Sequence, residues 1–471
     1  MSLGDFQEAN LQLHRETCPD QLNVAYTRGF VSSQAFVDKF KTVSKLLPPK
    51  TAGSLKFKPT ASNAAEALPW MGFEGRAAIL GVLDKAIADK SAEVRVVAYD
   101  LNQPEVVSRL EKLGSRLKVI IDNDGSHGVK NSNENQAETR LKKSAGSANV
   151  KRQCMGKLQH NKFIAVNGKT KLAVCGSTNF SWRAFYVQSN NAVVFQGKPT
   201  VDLFLQAFDN YWKFDKPADF GKTRSAKWQN IGLKGIDAKI AFSPHSSANA
   251  LLESIAGDIG KSTTSSLLYS LAFLYQTKGP IKDSIQKITK TKDRFVYGIS
   301  DRKVGGITLQ KPTGNLAVLY PSALAGKNIP EPFKSEPKGG GGIRMHHKFV
   351  VIDFNKPTGR VYLGSYNFSK PADLQNGENL LLIKDRRIAV SYVVEALSMF
   401  DHYHFRVTQQ EAKKKRKNWS YKNRRERPGE NLGGLSTTPT RIKSTTGNSL
   451  PKADSAHGSG RVSTSRGRYR Y

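Results

Sequence analysis

The sequence predicts an α/β fold built twice, each copy a sheet covered by helices. Two observations carry this. Segments of strand character alternate with segments of helical spacing, and the same order returns in the second half. One passage is also visibly duplicated: QHNKFIAVNGKTKLAVCGSTNFS (159–181) returns as HHKFVVIDFNKPTGRVYLGSYNFS (346–369).

Taken in order, residues 1–70 read as an irregular N-terminal extension with some helix. The regular pattern starts near Gly75, where Ile79, Leu80, Leu83, Ala86 and Ile87 recur at helical spacing. A strand is expected at Val94–Tyr99 and a helix at Pro104–Leu113, since proline suits a helix start. A strand at Leu117–Ile121 and a helix at Glu134–Lys143 follow. The second half offers a strand at Ala238–Phe242, a helix at Ala248–Ile255 and an apolar strand at Leu267–Leu274. A helix at Ile281–Ile288 and a strand at Phe295–Ile299 come next. Lys334–Gly342, KSEPKGGGG, reads as a flexible loop. The expected divisions are 1–70, 71–230, 231–410 and a basic, disordered tail at 411–471.

Charge narrows the partners. Lys+Arg number 73 against 39 Asp+Glu, a net of +34. Residues 413–471 hold 16 basic and 3 acidic residues, so the remaining chain still carries +21 and is basic in its own right. Such a field attracts nucleic acid, anionic lipid or free phosphate. No apolar run reaches the roughly 18 residues that a membrane-spanning helix needs. The N-terminus lacks the pattern of a secretory signal, so a cytoplasmic location is expected. The cysteines, Cys18, Cys154 and Cys175, have no CxxC spacing and read as ordinary thiols, not a disulfide framework or zinc site.

The duplicated passage carries the chemistry. Each copy has His-x-Lys, an apolar strand, a turn, a second apolar strand and Gly-Ser-x-Asn-Phe-Ser. In a strand, residues i and i+2 share a face, so His160 pairs with Lys162 and His346 with Lys348. His347 points away and receives no role. An imidazole beside an ammonium group suits an anion held between them, and phosphate is one. Glycine permits a sharp turn at the strand end. Ser177 and Asn179, like Ser365 and Asn367, are expected to donate to phosphate oxygens. Two copies facing each other would enclose one phosphodiester. One histidine would attack phosphorus and the other would protonate the leaving oxygen. The lysines and asparagines would hold the growing charge. No metal or other cofactor is required, and no carboxylate cluster suited to a metal is visible.

The paired His-x-Lys-(x)4-Asp and Gly-Ser-x-Asn segments resemble those of the phospholipase D superfamily over roughly residues 70–405. The resemblance implies a bilobal duplicated fold of mixed sheets flanked by helices, with the active site between the halves. It also implies His160 as nucleophile and His346 as general acid. His346-x-Lys348-(x)4-Asp353 fits fully, whereas the first copy ends at Asn167 in place of the acid. Glu378 stands eleven residues after Asn367 and resembles the family's histidine-orienting acid; the matching residue in the first half is Asn190. Glu378 is therefore expected to reach across to His160 and stabilise its cationic form, with Asn190 holding His346 without charge. The tyrosyl-DNA phosphodiesterase branch of the superfamily also lacks some first-half acids.

Other residues attract plainer readings. His127 and His245 read as surface or packing residues, with His245 able to line a pocket. Trp182 and Phe185 read as core, and Asp122 and Asp124 as a turn. The expected activity is a metal-independent nuclease-like phosphodiesterase acting through phosphohistidine on DNA or RNA. The alternatives are a phospholipase D that releases phosphatidic acid at a membrane surface, and a catalytically weak nucleic-acid-binding protein. Both motifs lie in one chain, so a monomer is expected.

Overall fold

The computed structural model describes residues 18–29, 33–40, 46–48, 54–301, 307–319 and 345–425. The expected loop at 334–342 and the chain beyond Arg425 lie outside them. The strands fall into two mixed sheets. The first contains β1 (Leu22–Tyr26), β2 (Glu93–Ala98), β3 (Leu117–Asp122), β4 (Val150–Gln153), β5 (Lys162–Asn167), β6 (Lys171–Gly176) and β7 (Asn191–Gln196). Their spatial order is β1-β7-β6-β5-β2-β3-β4. The second contains β8 (Gln229–Asn230), β9 (Asp237–Ser243), β10 (Ser266–Leu271), β11 (Phe295–Asp301), β12 (Ile307–Gln310), β13 (Leu316–Leu319), β14 (Lys348–Ile352), β15 (Arg360–Gly364) and β16 (Glu378–Lys384). Their order is β13-β12-β11-β10-β14-β15-β16-β9-β8.

The strands are continuous runs of Val, Ile, Leu and Phe because both faces of each sheet are covered. Every residue of β14 and β15 is buried. The order β7-β6-β5-β2-β3 in one sheet matches β16-β15-β14-β10-β11 in the other. The duplicated passage is thus the antiparallel pair β5–β6 in one half and β14–β15 in the other.

The helices follow their local chemistry. Pro104–Leu113 opens on proline, and the Gln103 side chain accepts from Glu105 N at 3.1 Å. Asn133–Ala145 is capped by Ser132, whose hydroxyl accepts from Asn135 N at 3.1 Å. The segment Ala64–Ala88 contains Pro69 and breaks at Phe73, whose φ is 46°. The regular helical register follows that break.

Five expectations need correction. The tail expected to be disordered from residue 411 begins as helix, since one helix runs over Arg386–Arg425. Residues 1–70 hold more than an irregular approach: β1 pairs antiparallel with β7 and completes the first sheet. The strand β8 pairs with β9, so the second sheet begins just ahead of the expected division at 230/231. The helix expected at Ala248–Ile255 runs instead over Leu252–Ser262. Its start is set by Asp373, whose carboxylate accepts from Leu251 N at 3.1 Å and Leu252 N at 3.3 Å. The strand expected to reach Leu274 stops at Leu271, and a 3-10 turn follows at Leu274–Gln276.

The two sheets share a core. Phe163 of β5 meets Phe242 of β9 with ring centroids 5.9 Å apart, and Phe204 packs on Phe242 at 5.5 Å. Trp182 and Phe185 are buried in it, as expected. Cys18 and Cys175 are buried thiols and Cys154 is exposed. Among the described residues, no helix is long and apolar enough to cross a membrane.

Candidate active site

Strand order explains why distant residues meet. In the first sheet β5, β6 and β7 are successive antiparallel neighbours. The start of β5, the end of β6 and the start of β7 therefore share one edge. His160 and Lys162 sit at the first, Asn179 follows the second and Asn190 precedes the third. In the second sheet, β14, β15 and β16 bring His346, Lys348, Asn367 and Glu378 to the matching edge. The two edges interlock through backbone bonds. His346 N donates to Ser189 O at 3.1 Å, and Gly377 N donates to Leu158 O at 2.8 Å.

The side chains cross the same seam. His160 Nδ1 lies 2.7 Å from Glu378 Oε2, and His346 Nδ1 lies 2.9 Å from Asn190 Oδ1. Each histidine is thus oriented at Nδ1 by a residue of the opposite half. His160 and His346 are 4% and 6% exposed, and Lys162 and Lys348 are 1% exposed. Each lysine turns back onto its own motif: Lys162 Nζ donates to His160 O, and Lys348 Nζ donates to His346 O at 2.8 Å. Lys348 Nζ also lies 3.1 Å from His346 Nε2.

Burial dominates the electrostatics. It holds His160 well below its ordinary value, helped by Lys162 and Lys348. His346 is likewise held well below, by burial and then by the same two lysines. Burial brings Lys162 down to about 7, opposed by Glu378 and Asp100. Lys348 is pushed well below the usual lysine range. Burial raises Glu378 to about 8, with Lys162, the Ser365 hydrogen bond and Lys348 working against it. Burial thus disfavours the charged form of each of these groups, and an anion held among them would favour their protonation.

The serines are not where the sequence suggested. Ser177 and Ser365 were expected to donate to phosphate oxygens. Instead Ser177 Oγ donates to Asn190 Oδ1 at 3.0 Å, and Ser365 Oγ donates to Glu378 Oε2 at 2.7 Å. Each also accepts a backbone N–H, Asn191 N or Asn379 N, at 3.0 Å. They hold the residues that orient the histidines. The glycines before them are required by space. Gly176 and Gly364 have φ of 143° and 141°, and an added Cβ would stand 2.5 Å from Asn191 O or 2.2 Å from Asn379 O. The helices after the motifs, Trp182–Tyr186 and Lys370–Leu374, are only five residues long and add little dipole.

Asn179 and Asn367 each keep a side-chain oxygen without a hydrogen-bond partner. Asn179 Nδ2 donates to Asp100 Oδ2 at 2.8 Å, so one of its two N–H groups is already engaged. His347 points away as expected, with Nε2 3.0 Å from Glu395 Oε1.

Asp353 and Asn167 lie at the far end of their strands, five residues beyond the lysines, or roughly 17 Å at strand rise. Asp353 accepts backbone N–H groups from Thr264, Ser265 and Ser266. In the first half Asp89 does comparable work, accepting from Lys169 N at 2.6 Å and Ser91 N at 3.0 Å. Asn167 accepts from Lys171 Nζ at 2.5 Å. Its departure from the motif concerns a strand end, away from the histidines.

Sequence reading missed one group. His127 is neither surface nor plain packing, and Asp122 does more than hold the turn, where it accepts from Asp124 N at 3.0 Å. Asp122 ends β3, is fully buried and lies 2.7 Å from His127 Nδ1. His127 Nε2 lies 3.0 Å from Asp100 Oδ1 and 4.0 Å from Glu134 Oε1. Asp100, His127 and Glu134 thus form a cluster with ligand atoms within 4.8 Å of one another, contrary to the expectation of none. A metal ion there would have to displace the proton that His127 directs at a carboxylate. The strand order accounts for it: β2 pairs with β5 and β3 with β2, so the ends of β2 and β3 reach the edge where β5 begins. His245, given a chance of lining a pocket, is buried with Nδ1 2.7 Å from Asp373 Oδ1.

Comparison with known proteins identifies a family. Residues 83–212 and 259–399, more than half of the chain, match the family described as "Cardiolipin synthase, PLD-like domain". A phospholipase D from Rickettsia prowazekii is 46% identical over 48 residues, 10% of this chain and 22% of that protein. One from Rickettsia bellii is 42% identical over 53 residues, covering 24% of that protein. The chain thus matches under a quarter of the length of these relatives. Among solved structures, the phospholipase D family member Nuc from Salmonella typhimurium is 24% identical, covering 30% of this chain and 88% of that one, with a TM-score of 0.25. A phosphatidylserine synthase from Haemophilus influenzae Rd KW20 is 14% identical, covering 70% and 85%, with a TM-score of 0.46. By its family match, this chain belongs to the phospholipase D-like domain family.

Proposed function

We propose that the chain is a metal-independent phosphodiesterase that works through a covalent phosphohistidine on His160. The crossed orientation of the two histidines carries this reading. When Glu378 is ionised, it accepts from His160 Nδ1 and so leaves Nε2 as a lone pair. Burial and the neighbouring lysines favour that neutral form. This revises the expected role of Glu378 from stabilising a cation to fixing a tautomer. Attack forms the bond from His160 Nε2 to phosphorus and breaks the bond to the leaving oxygen. His346 Nε2 gives that oxygen its proton. A bound phosphodiester anion raises His346 and both lysines, so the acid is charged when it is needed. Water then attacks phosphorus, His346 takes its proton, and the bond to His160 breaks. Lys162, Lys348, Asn179 and Asn367 hold the phosphoryl charge.

The proposed substrate is nucleic acid. A net charge of +34, with +21 outside the basic tail, suits a polyanionic backbone. A phospholipid reading is favoured by the names of the relatives, and a small recess of mixed apolar and polar lining lies beside Asn367. Leu252, Leu271, Leu274, Ile281 and Phe368 line it, with Lys278 and Lys282 adjoining. Plasmid DNA and a phosphatidylcholine dispersion, tested side by side in EDTA with His160→Ala as control, decide the matter. DNA cleavage abolished in the variant supports the nuclease reading. Hydrolysis of lipid alone transfers the same chemistry to a membrane. Activity on neither substrate contradicts both.

A further inference from the structure

A chain of largely buried polar groups borders the first motif, and its members other than Asn179 have no part in the mechanism above. Asp122 Oδ1 accepts from the backbone N–H of Gln159, directly before His160, at 2.6 Å. Its Oδ2 lies 2.7 Å from His127 Nδ1. His127 Nε2 lies 3.0 Å from Asp100 Oδ1, and Asp100 Oδ2 accepts from Asn179 Nδ2 at 2.8 Å. The path therefore runs from the residue before His160 to Asn179. Tyr99 closes it from one side, with its ring centroid 4.6 Å from both the His127 and the His160 rings.

Each ring nitrogen of His127 faces a carboxylate oxygen. A carboxylate only accepts, so both nitrogens donate and the ring is an imidazolium. Burial works against that charge, but the hydrogen bonds to Asp100 and Asp122 outweigh it and raise His127 to about 10. The second half is built differently. Ala98 pairs with Lys162 as Leu271 pairs with Lys348, so Phe273 holds the register position of Asp100. Its ring packs at 6.4 Å from that of His346. The first half has a charged strut where the second has an aromatic ring.

We propose that His127 is a positioning residue: a fixed imidazolium that, through Asp122 and Asp100, sets both the approach to His160 and the orientation of Asn179 for a phosphate group. This rests on the phosphodiester reading of the site. A 1 Å misplacement of such groups costs about 100-fold in rate. The test uses the full chain and inorganic phosphate as probe. In His127→Gln, phosphate should bind about tenfold more weakly and turnover should fall about 100-fold. Asp100→Asn keeps the shape of the strut and should give a smaller loss in the same direction. In wild type carrying 15N-labelled histidine, both His127 nitrogens should show imidazolium shifts at pH 8, and this signature should change in Asp100→Asn. A purely packing role would lower stability and leave the phosphate affinity of the folded variants unmoved. If His127→Gln does not fold, Asp100→Asn and the spectrum decide. Phosphate affinity and turnover within twofold of wild type in a folded variant, or a neutral His127 at pH 8, overturn the proposal. Wild type that binds no phosphate overturns the phosphodiester reading and this proposal with it. Wild-type binding with unaffected variants overturns this proposal alone.

Discussion

The two halves share one strand order and one crossed hydrogen-bond scheme, yet they differ in charge at three matched positions. His160 faces the carboxylate of Glu378, whereas His346 faces the amide of Asn190. Asp100 borders the first motif, whereas Phe273 borders the second. Asn167 ends β5, whereas Asp353 ends β14. The first two differences lie at the reactive edge and the third at the far end of the strands. Duplication supplies two histidines of equal geometry, and the uneven placement of charge gives them different work. A carboxylate on Nδ1 strengthens the base at Nε2, and an amide does not. In the proposed mechanism that asymmetry suits His160 to attack and His346 to proton donation.

The largest expected effect comes from removing the attacking group. His160→Ala should lower turnover by at least roughly 10^4-fold. His346→Ala should be nearly as damaging with a poor leaving group. With a p-nitrophenolate leaving group, which needs no proton, it should spare much of the first step. Equal losses on both substrates would break the assignment of roles.

Glu378→Gln makes the halves alike at Nδ1. A comparable change of carboxylate to amide beside a catalytic histidine costs on the order of 10^4-fold. A loss of 10^3-fold or more in kcat is expected here, measured against an unchanged thermal midpoint. Full turnover in Glu378→Gln would remove the basis of the comparison. Asn190→Asp makes the halves alike in the opposite sense and should raise His346, shifting the alkaline limb of the rate profile to higher pH.

Lys162 predicts an effect of opposite sign on stability. Its folded value is about 7 against 10.5 for a free lysine. Between these values the unfolded chain binds the extra proton, so stability rises with pH. Below about pH 7 both forms are protonated, and the folded state carries the full cost of a buried cation. Lys162→Met should therefore abolish turnover and raise the thermal midpoint. The gain should be greatest near or below pH 7 and should fade as pH rises toward 10.5. The same titration makes inorganic phosphate bind more weakly above pH 7, since the uncharged amine is a poorer partner. Calorimetry at pH 6 and pH 9 checks both statements.

The smallest effect on chemistry is expected at the strand ends. Asp353→Asn removes a carboxylate that accepts three backbone N–H groups and should cost about 2 kcal/mol of stability. Turnover per folded molecule should be unchanged. Asn167→Asp should change little, because Asp89 already holds the adjoining turn. A large rate change in either variant would show that these ends communicate with the site.

Much of this was legible in the sequence because it is encoded at short range. His160 and Lys162 share a strand face by spacing alone, and Gly176 and Gly364 announce turns that no other residue fits. Glu378 and Asn190 were found by equal offset from the two asparagines, a signal that duplication provides. What failed needed three dimensions. Ser177 and Ser365 looked like phosphate donors because the sequence does not say which way a hydroxyl turns. His127 is 33 residues from His160, and it meets the site only because β2, β3 and β5 are neighbours in the sheet. The strand β1 was missed because its partner, β7, lies far along the chain.

The most direct test is to locate the covalent phosphate. His346→Ala is mixed with a p-nitrophenyl phosphodiester in EDTA, quenched in alkali within one turnover and digested for mass spectrometry. The account predicts a phosphoryl adduct on His160, formed with a burst of p-nitrophenolate and absent in His160→Ala. In the converse variant, with His160 replaced, an adduct on another residue would contradict it, as would a burst with no adduct in either protein.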